Sequence, residues 1–206
     1  MNCVVVITGL IKHEYIQPLL QMYKGIKYKI LSTWKDQPYL YVFQKNGFII
    51  QLNDYPSYPN QTNLQTVNIR EGCILARKLG FEYVVRMRTD LVCNNMIKFM
   101  EYIIKDDKLS ILGFVQTHTF YIIDFFMASS IETMLNIFNK EQKEDDKRFV
   151  EQYWIEEWLD SKLTRGDNHF NTMYDTLKDQ AIELVLLSKP WGFLVASYCE
   201  QDFFRK

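Results

Sequence analysis

The segment FEYVVRMRTDLVC, residues 81–93, places two arginines and an aspartate in what otherwise reads as a buried strand. Alternate residues of an extended strand point to the same face, so Arg86, Arg88 and Asp90 project together, with Val84 on their side. Tyr83, Val85, Met87 and Thr89 line the other. Burying several charges costs more than packing returns unless each meets a partner. The end of this strand is therefore expected to hold either a structural ion-pair network or an anionic ligand bound together with a metal.

Outward from this segment the chain alternates strand and helix. Residues 2–8 (NCVVVIT) are a β-branched run ending at Thr8-Gly9. Helical apolar spacing follows over 13–24, with Pro18 tolerable only near a first turn or at a kink. Further strands are predicted over 27–34 (KYKILSTW) and 47–52 (GFIIQL). The stretch 53–63 (NDYPSYPNQTN) reads as a loop, and 64–79 as a helix closed by Gly80. This order predicts a parallel sheet with crossover helices. Downstream, 94–105 reads as helix, 109–115 and 119–126 as paired strands, 130–140 and 149–163 as helices, and 183–188 as a late strand. The charge run 140–148 (KEQKEDDKR) reads as a solvated helix end or loop. No repeat or linker interrupts the chain, so one domain over 1–206 is expected.

Composition narrows the possible functions. The 206 residues are 48% hydrophobic and 15% aromatic, enough for one sizeable core. With 24 Lys and Arg against 25 Asp and Glu, the net charge of −1 argues against a broad basic surface for nucleic acid. Cys3, Cys73, Cys93 and Cys199 are scattered, with no C-x-x-C, and are expected as free thiols in a reducing compartment. The start MNCVVVITGL lacks a basic n-region, and no apolar stretch approaches the roughly 20 residues of a membrane helix. A soluble, cytoplasmic chain is expected.

Ligands of open parallel sheets collect at the carboxyl ends of the strands. Four motifs fall there: Thr8-Gly9, Ser32-Thr33-Trp34, Arg88-Thr89-Asp90, and Asp124 within FYIIDFFMASS. Plain alternatives exist for each: an ordinary turn, a core tryptophan, a structural ion pair, and, for Asp124, a cap for the helix near Ser130 or a pair with an arginine. No glycine-rich phosphate loop, G-x-S-x-G elbow or H-E-x-x-H pair is present. Phosphate binding would fall to arginines and to a carboxylate-held metal. Mg²⁺ or Mn²⁺ needs few protein ligands when a substrate's phosphates supply the rest.

The stretch NLQTVNIREGCILARKLGFEYVVRMRTDL resembles the central signature of the WavE-like glycosyltransferases. There, a helix carrying a glutamine and a glycine leads into a strand ending in basic-x-Arg-Thr-Asp. LSTW, YIIDFF and VEQYW fall in the family's order, so the resemblance spans roughly residues 3–160. The chain also resembles the small A-type domains that large algal viruses encode for glycosylating their capsid protein, which would place it in the host cytoplasm.

The resemblance implies a GT-A-like single α/β domain, with a mostly parallel central sheet flanked by helices and an antiparallel addition. Residues 1–92 would be the nucleotide-binding half and 93–206 the acceptor-side half. The family's D-x-D motif is reduced here: Arg88 stands at the first aspartate, and Asp90 remains as the metal ligand for Mn²⁺ or Mg²⁺. By resemblance, Thr8 and Gly9 contact the base and Trp34 or a nearby aromatic covers it. Gln65 and Arg70 reach ribose or phosphate, Arg88 contacts the diphosphate or donor sugar of a sugar nucleotide, a UDP-sugar foremost, and Arg86 and Arg88 could neutralise the diphosphate themselves. Asp124 and Glu151 are the candidate bases that take the proton from a glycan or glycoprotein acceptor. His169 is a lesser candidate for a metal or phosphate contact. The rivals are a sugar-nucleotide nucleotidyltransferase and a non-catalytic nucleotide- or glycan-binding module. No nucleic acid or membrane span is expected, and the oligomeric state is left open.

Overall fold

The computed structural model describes residues 2–93, 96–104, 109–116, 119–148, 150–159, 182–186 and 193–195. Cys3–Thr8 forms β1, a β-branched run buried on both faces from Val4 onward, as a central parallel strand requires. It pairs in parallel with β2 (Lys29–Trp34) on one side and β4 (Tyr83–Arg88) on the other. β3 (Ile49–Asn53) adds in parallel beyond β2. β7 (Thr119–Ser130) runs antiparallel to β4, β6 (Leu109–Gln116) antiparallel to β7, and β8 (Ile182–Leu186) parallel to β6. The sheet order is β3-β2-β1-β4-β7-β6-β8. β5 (Leu91–Cys93) and β9 (Phe193–Val195) make a separate two-stranded pair that the sequence reading did not anticipate.

The predicted face pattern of the decisive strand holds from Tyr83 to Met87. Tyr83, Val85 and Met87 join the core under α1 (His13–Met22), α2 (Leu40–Lys45) and α4 (Met96–Ile103). Val84 joins the opposite core, which α3 (Gln61–Lys78), α5 (Ile131–Ile137) and α6 (Val150–Leu159) complete. Arg86 lies on that second face and is fully buried. The strand itself ends at Arg88, and Thr89 and Asp90 form a turn.

α3 starts three residues before the expected position because Asn60 caps it, its side-chain oxygen accepting from the Asn63 amide at 2.7 Å. Such a cap stabilises a helix by about 1 kcal/mol. Farther along, Gly72 lets α3 lie against the sheet: a Cβ there would come within 2.5 Å of Val6 Cγ1 and 3.1 Å of Ser32 Cβ. Ser130, not Asp124, caps α5 by accepting from the Thr133 amide. Cys73 and Cys93 are buried free thiols and Cys3 is half-buried; burial pushes the Cys73 thiol up to about 12. Cys199, His169 and residues 160–163 of the expected last helix lie outside the described residues. No described helix is long and apolar enough to cross a membrane.

The charge run is more structured than a solvated loop. Arg148 donates to Asp146, to Glu156 at 3.1 Å and to Glu157 at 2.8 Å, and Glu156 is buried. Gln142 in the same run donates its backbone amide to Asn63 and its side chain to the Arg148 carbonyl, tying the start of α6 to the start of α3. Hydrogen bonding from Arg148 holds the Asp146 carboxyl down at about 2 against an ordinary 3.8. A depressed carboxylate stabilises the fold above its ordinary value and loses that contribution as pH falls toward the folded one. Arg148→Met should therefore lower stability by about 2 kcal/mol at neutral pH in urea titrations. The deficit should shrink between about pH 4 and pH 2.

Candidate functional site

The carboxyl ends of β1 and β4 open onto a cleft of about 620 Å³. This is where the chain leaves β1 toward β2 on one side while β4 is added on the other, the switch point at which such sheets bind ligands. Of the residues picked from the sequence, Thr8, Gly9, Trp34, Gln65, Arg86, Arg88 and Asp90 line it. Lys12, Tyr15, Tyr55, Gln61 and Asn68 are also in its wall.

Arg86 is the floor. Its Nε donates to Thr8 Oγ1 at 3.0 Å and its Nη2 to Gln65 Oε1 at 2.8 Å, joining β4, β1 and α3 behind the cleft. Arg88 and Asp90 form a fork: Nε to Oδ1 at 2.8 Å and Nη2 to Oδ2 at 2.6 Å. That bidentate geometry fixes the plane of the guanidinium at the end of β4.

Gly9 has a stricter role than admitting a ligand. Its φ is +134°, and a Cβ would fall 2.6 Å from Thr89 Oγ1. The turn after β4 therefore packs onto the turn after β1, where Thr89 donates its hydroxyl to the Leu10 carbonyl and its amide to the Thr8 carbonyl. The hydroxyls of Ser32 and Thr33 are turned inward. Ser32 donates to the Asn68 carbonyl at 2.6 Å and Thr33 to the Gly9 carbonyl at 2.7 Å, so both hold the walls and neither is offered to a ligand.

Trp34 is only 2% exposed because Tyr55 stacks on it, with centroids 4.5 Å apart and planes at 17°. Tyr55 is half-exposed and donates its hydroxyl to Asp36, so the accessible aromatic face of the cleft is Tyr55. Loss of water contacts, then the bond to Asp36, raises the Tyr55 phenol above its ordinary value. It stays a neutral donor at physiological pH.

Arg70 does not reach the cleft. It pairs with Glu141 at 2.9 Å and Glu71 at 3.4 Å on another side of α3. Asp124 lies on β7 two residues from Phe126, the partner of Met87. Because β7 runs antiparallel to β4, its backbone stands toward the carboxyl end of β4. Glu151 lies in the first turn of α6, whose start is tied to the start of α3.

The described lining does not fit a divalent cation. Asp90 is the one carboxylate in the described lining, and both its oxygens are engaged by Arg88. Its charged neighbours in that lining, Lys12, Arg86 and Arg88, are cations. Among the described residues, no three His, Cys, Asp or Glu side chains gather as a metal centre.

No protein-family model and no curated sequence matches the chain. Solved structures do. One described as a mannose-1-phosphate geranyltransferase of Thermus thermophilus is similar at TM-score 0.55 and 11% identity, over 98% of this chain and 80% of that one. One described as a glucose-1-phosphate thymidylyltransferase of Bacillus anthracis, in complex with a sucrose, is similar at 0.53 and 11%, over 94% and 89%. A glycosyltransferase involved in glycosylation of the major capsid of PBCV-1 aligns at 0.47 and 9%, over 90% and 81%. The chain shares the fold of the first two, a mixed α/β domain with a largely parallel sheet and an antiparallel portion. At such identities the likeness extends to the fold alone.

Proposed function

We propose that the chain is a glycosyltransferase that moves a sugar from a nucleoside-diphosphate sugar, a UDP-sugar foremost, to a glycan or glycoprotein acceptor. The observation that carries this reading is the cleft at the ends of β1 and β4. It combines an aromatic platform, Tyr55 over Trp34, with the arginines of the central strand. A base stacks on the first and a diphosphate pairs with the second.

In sugar transfer the bond from the anomeric carbon to the diphosphate oxygen breaks as the acceptor oxygen attacks. The electron pair leaves on the diphosphate. Arg88 stabilises that charge, and a carboxylate takes the acceptor proton. Asp124 and Glu151 are the proposed bases. Asp124→Asn or Glu151→Gln should lower turnover about a hundredfold with substrate affinity little changed. Full turnover in both variants would remove the assignment.

A second reading, a nucleotidyltransferase that makes the sugar nucleotide, draws on the thymidylyltransferase fold likeness. Against it stands the β1–α1 connection, which has four residues, Gly9 to Lys12, and a single glycine. A triphosphate is usually cradled by the backbone amides of a longer, glycine-rich loop. Products separate the two. Incubation with sugar nucleotides and a glycan mixture should release nucleoside diphosphate. Incubation with nucleoside triphosphates and sugar 1-phosphates should release no pyrophosphate, and the reverse pattern would replace this reading with its rival.

A further inference from the structure

The expected divalent cation meets a site whose charges are already arranged for an anion. We propose that Lys12, Arg86 and Arg88 neutralise the donor's diphosphate themselves, that Asp90 is the positioning residue of Arg88, and that donor binding needs no divalent cation. This rests on the reading of the cleft as a donor site.

Charge is the first observation. The cleft's described lining carries three cations against one carboxylate, a formal +2 in a chain of net −1. A nucleoside-diphosphate sugar brings about two negative charges, one per phosphate, so the cleft is complementary to it without a further ion.

Geometry is the second. Asp90 meets Arg88 through both oxygens, at 2.8 and 2.6 Å, with the two side chains only 12% and 22% exposed. A charge-assisted bidentate pair with so little water around it is roughly twice as strong as a neutral hydrogen bond, and a metal would have to break it. Left in place, it fixes a planar guanidinium at the strand end, suited to phosphate oxygens.

Lys12 is the third. It sits at the N-cap position of α1 on the short connection after β1, exposed at its end of the cleft, with Nζ 5.4 Å from the Tyr15 ring centre. Its flexible stem adds a mobile cation to the lining that holds the fixed Arg88 fork. The sequence held no pattern that singled it out.

The test is calorimetric titration of the full chain with UDP, GDP, CDP and dTDP, each in EDTA and in Mn²⁺. One nucleotide is expected to bind with an affinity that differs by less than about twofold between the two conditions. Arg88→Ala should then lose about a hundredfold and Lys12→Ala about tenfold, the latter loss shrinking at high salt. Asp90→Asn, which keeps an acceptor for Arg88, should retain more affinity than Asp90→Ala in EDTA. Thermal midpoints of each variant separate loss of binding from loss of fold, and the wild-type comparison needs no variant. If Mn²⁺ tightens wild-type binding tenfold or more and Asp90→Asn cancels the gain, Asp90 is a metal ligand and the inference fails while the donor site stands. Absence of binding in both conditions would remove the donor site as well.

Discussion

Replacing Arg86 with methionine is expected to cost at least about a hundredfold in nucleoside-diphosphate affinity while the protein still folds. Arg86 is fully buried in the central strand, and two of the groups it holds, Thr8 Oγ1 and Gln65 Oε1, are neutral. A buried guanidinium is a costly way to stabilise a fold. Its hydrogen bonds offset a large desolvation cost, and an apolar side chain of similar length removes both at once. Stability should therefore change by no more than about 2 kcal/mol in either direction. The electrostatic floor of the cleft, in contrast, has no substitute. Arg86→Lys should recover part of the affinity, because it restores the charge without the fork. A methionine variant that unfolds, or one that binds nucleotide as the parent does, would make Arg86 a structural residue.

Gly72→Val is expected to destabilise the fold by about 3 kcal/mol, seen as a thermal midpoint lower by roughly 10 °C. The β-carbon would overlap Val6 Cγ1 at 2.5 Å, and Val6 is fully buried and rotamer-restricted in the middle of β1. Only movement of α3 relieves the clash. Gln61, Leu64, Gln65 and Asn68 of that helix line the cleft, so nucleotide affinity should fall as well. Gly72→Ala should be milder, since the gain in helix propensity, about 1 kcal/mol, offsets part of the overlap. An unchanged midpoint in the valine variant would mean that α3 does not lie against β1 as closely as described.

The central strand was legible because its side chains obey a period of two. Once Val84, Arg86 and Arg88 share a face, the position of the charges follows from the direction of the strand. Parallel topology was legible from the alternation of apolar runs and helical segments. Arg70 lies outside the described lining because being on the right helix is not being on the right face. Residues 61, 64, 65 and 68 recur at helical spacing and look into the cleft, whereas Arg70 stands about 140° around the axis from Gln65. Tyr55 was missed inside a stretch whose prolines and asparagines read only as a turn, although its ring shields Trp34. The Arg148 cluster was missed for a related reason. A run of mixed charge looks solvated until folding brings Glu156 and Glu157 of the next helix onto the same guanidinium. Gly9 and Gly72 were visible as glycines, but the neighbours that demand them, Thr89 and Val6, are distant in the chain.

Hydrogen–deuterium exchange of the intact chain, with and without UDP, GDP or CDP, tests the donor cleft most directly. With the nucleotide that binds, slower exchange is expected in three separate segments that only the fold brings together: residues 8–12 after β1, 53–65 around Tyr55 and the start of α3, and 86–91 at the end of β4. Protection confined to another surface, such as the Arg148 cluster, or no protection by any of the three at millimolar concentration, would contradict a sugar-nucleotide site at the ends of β1 and β4.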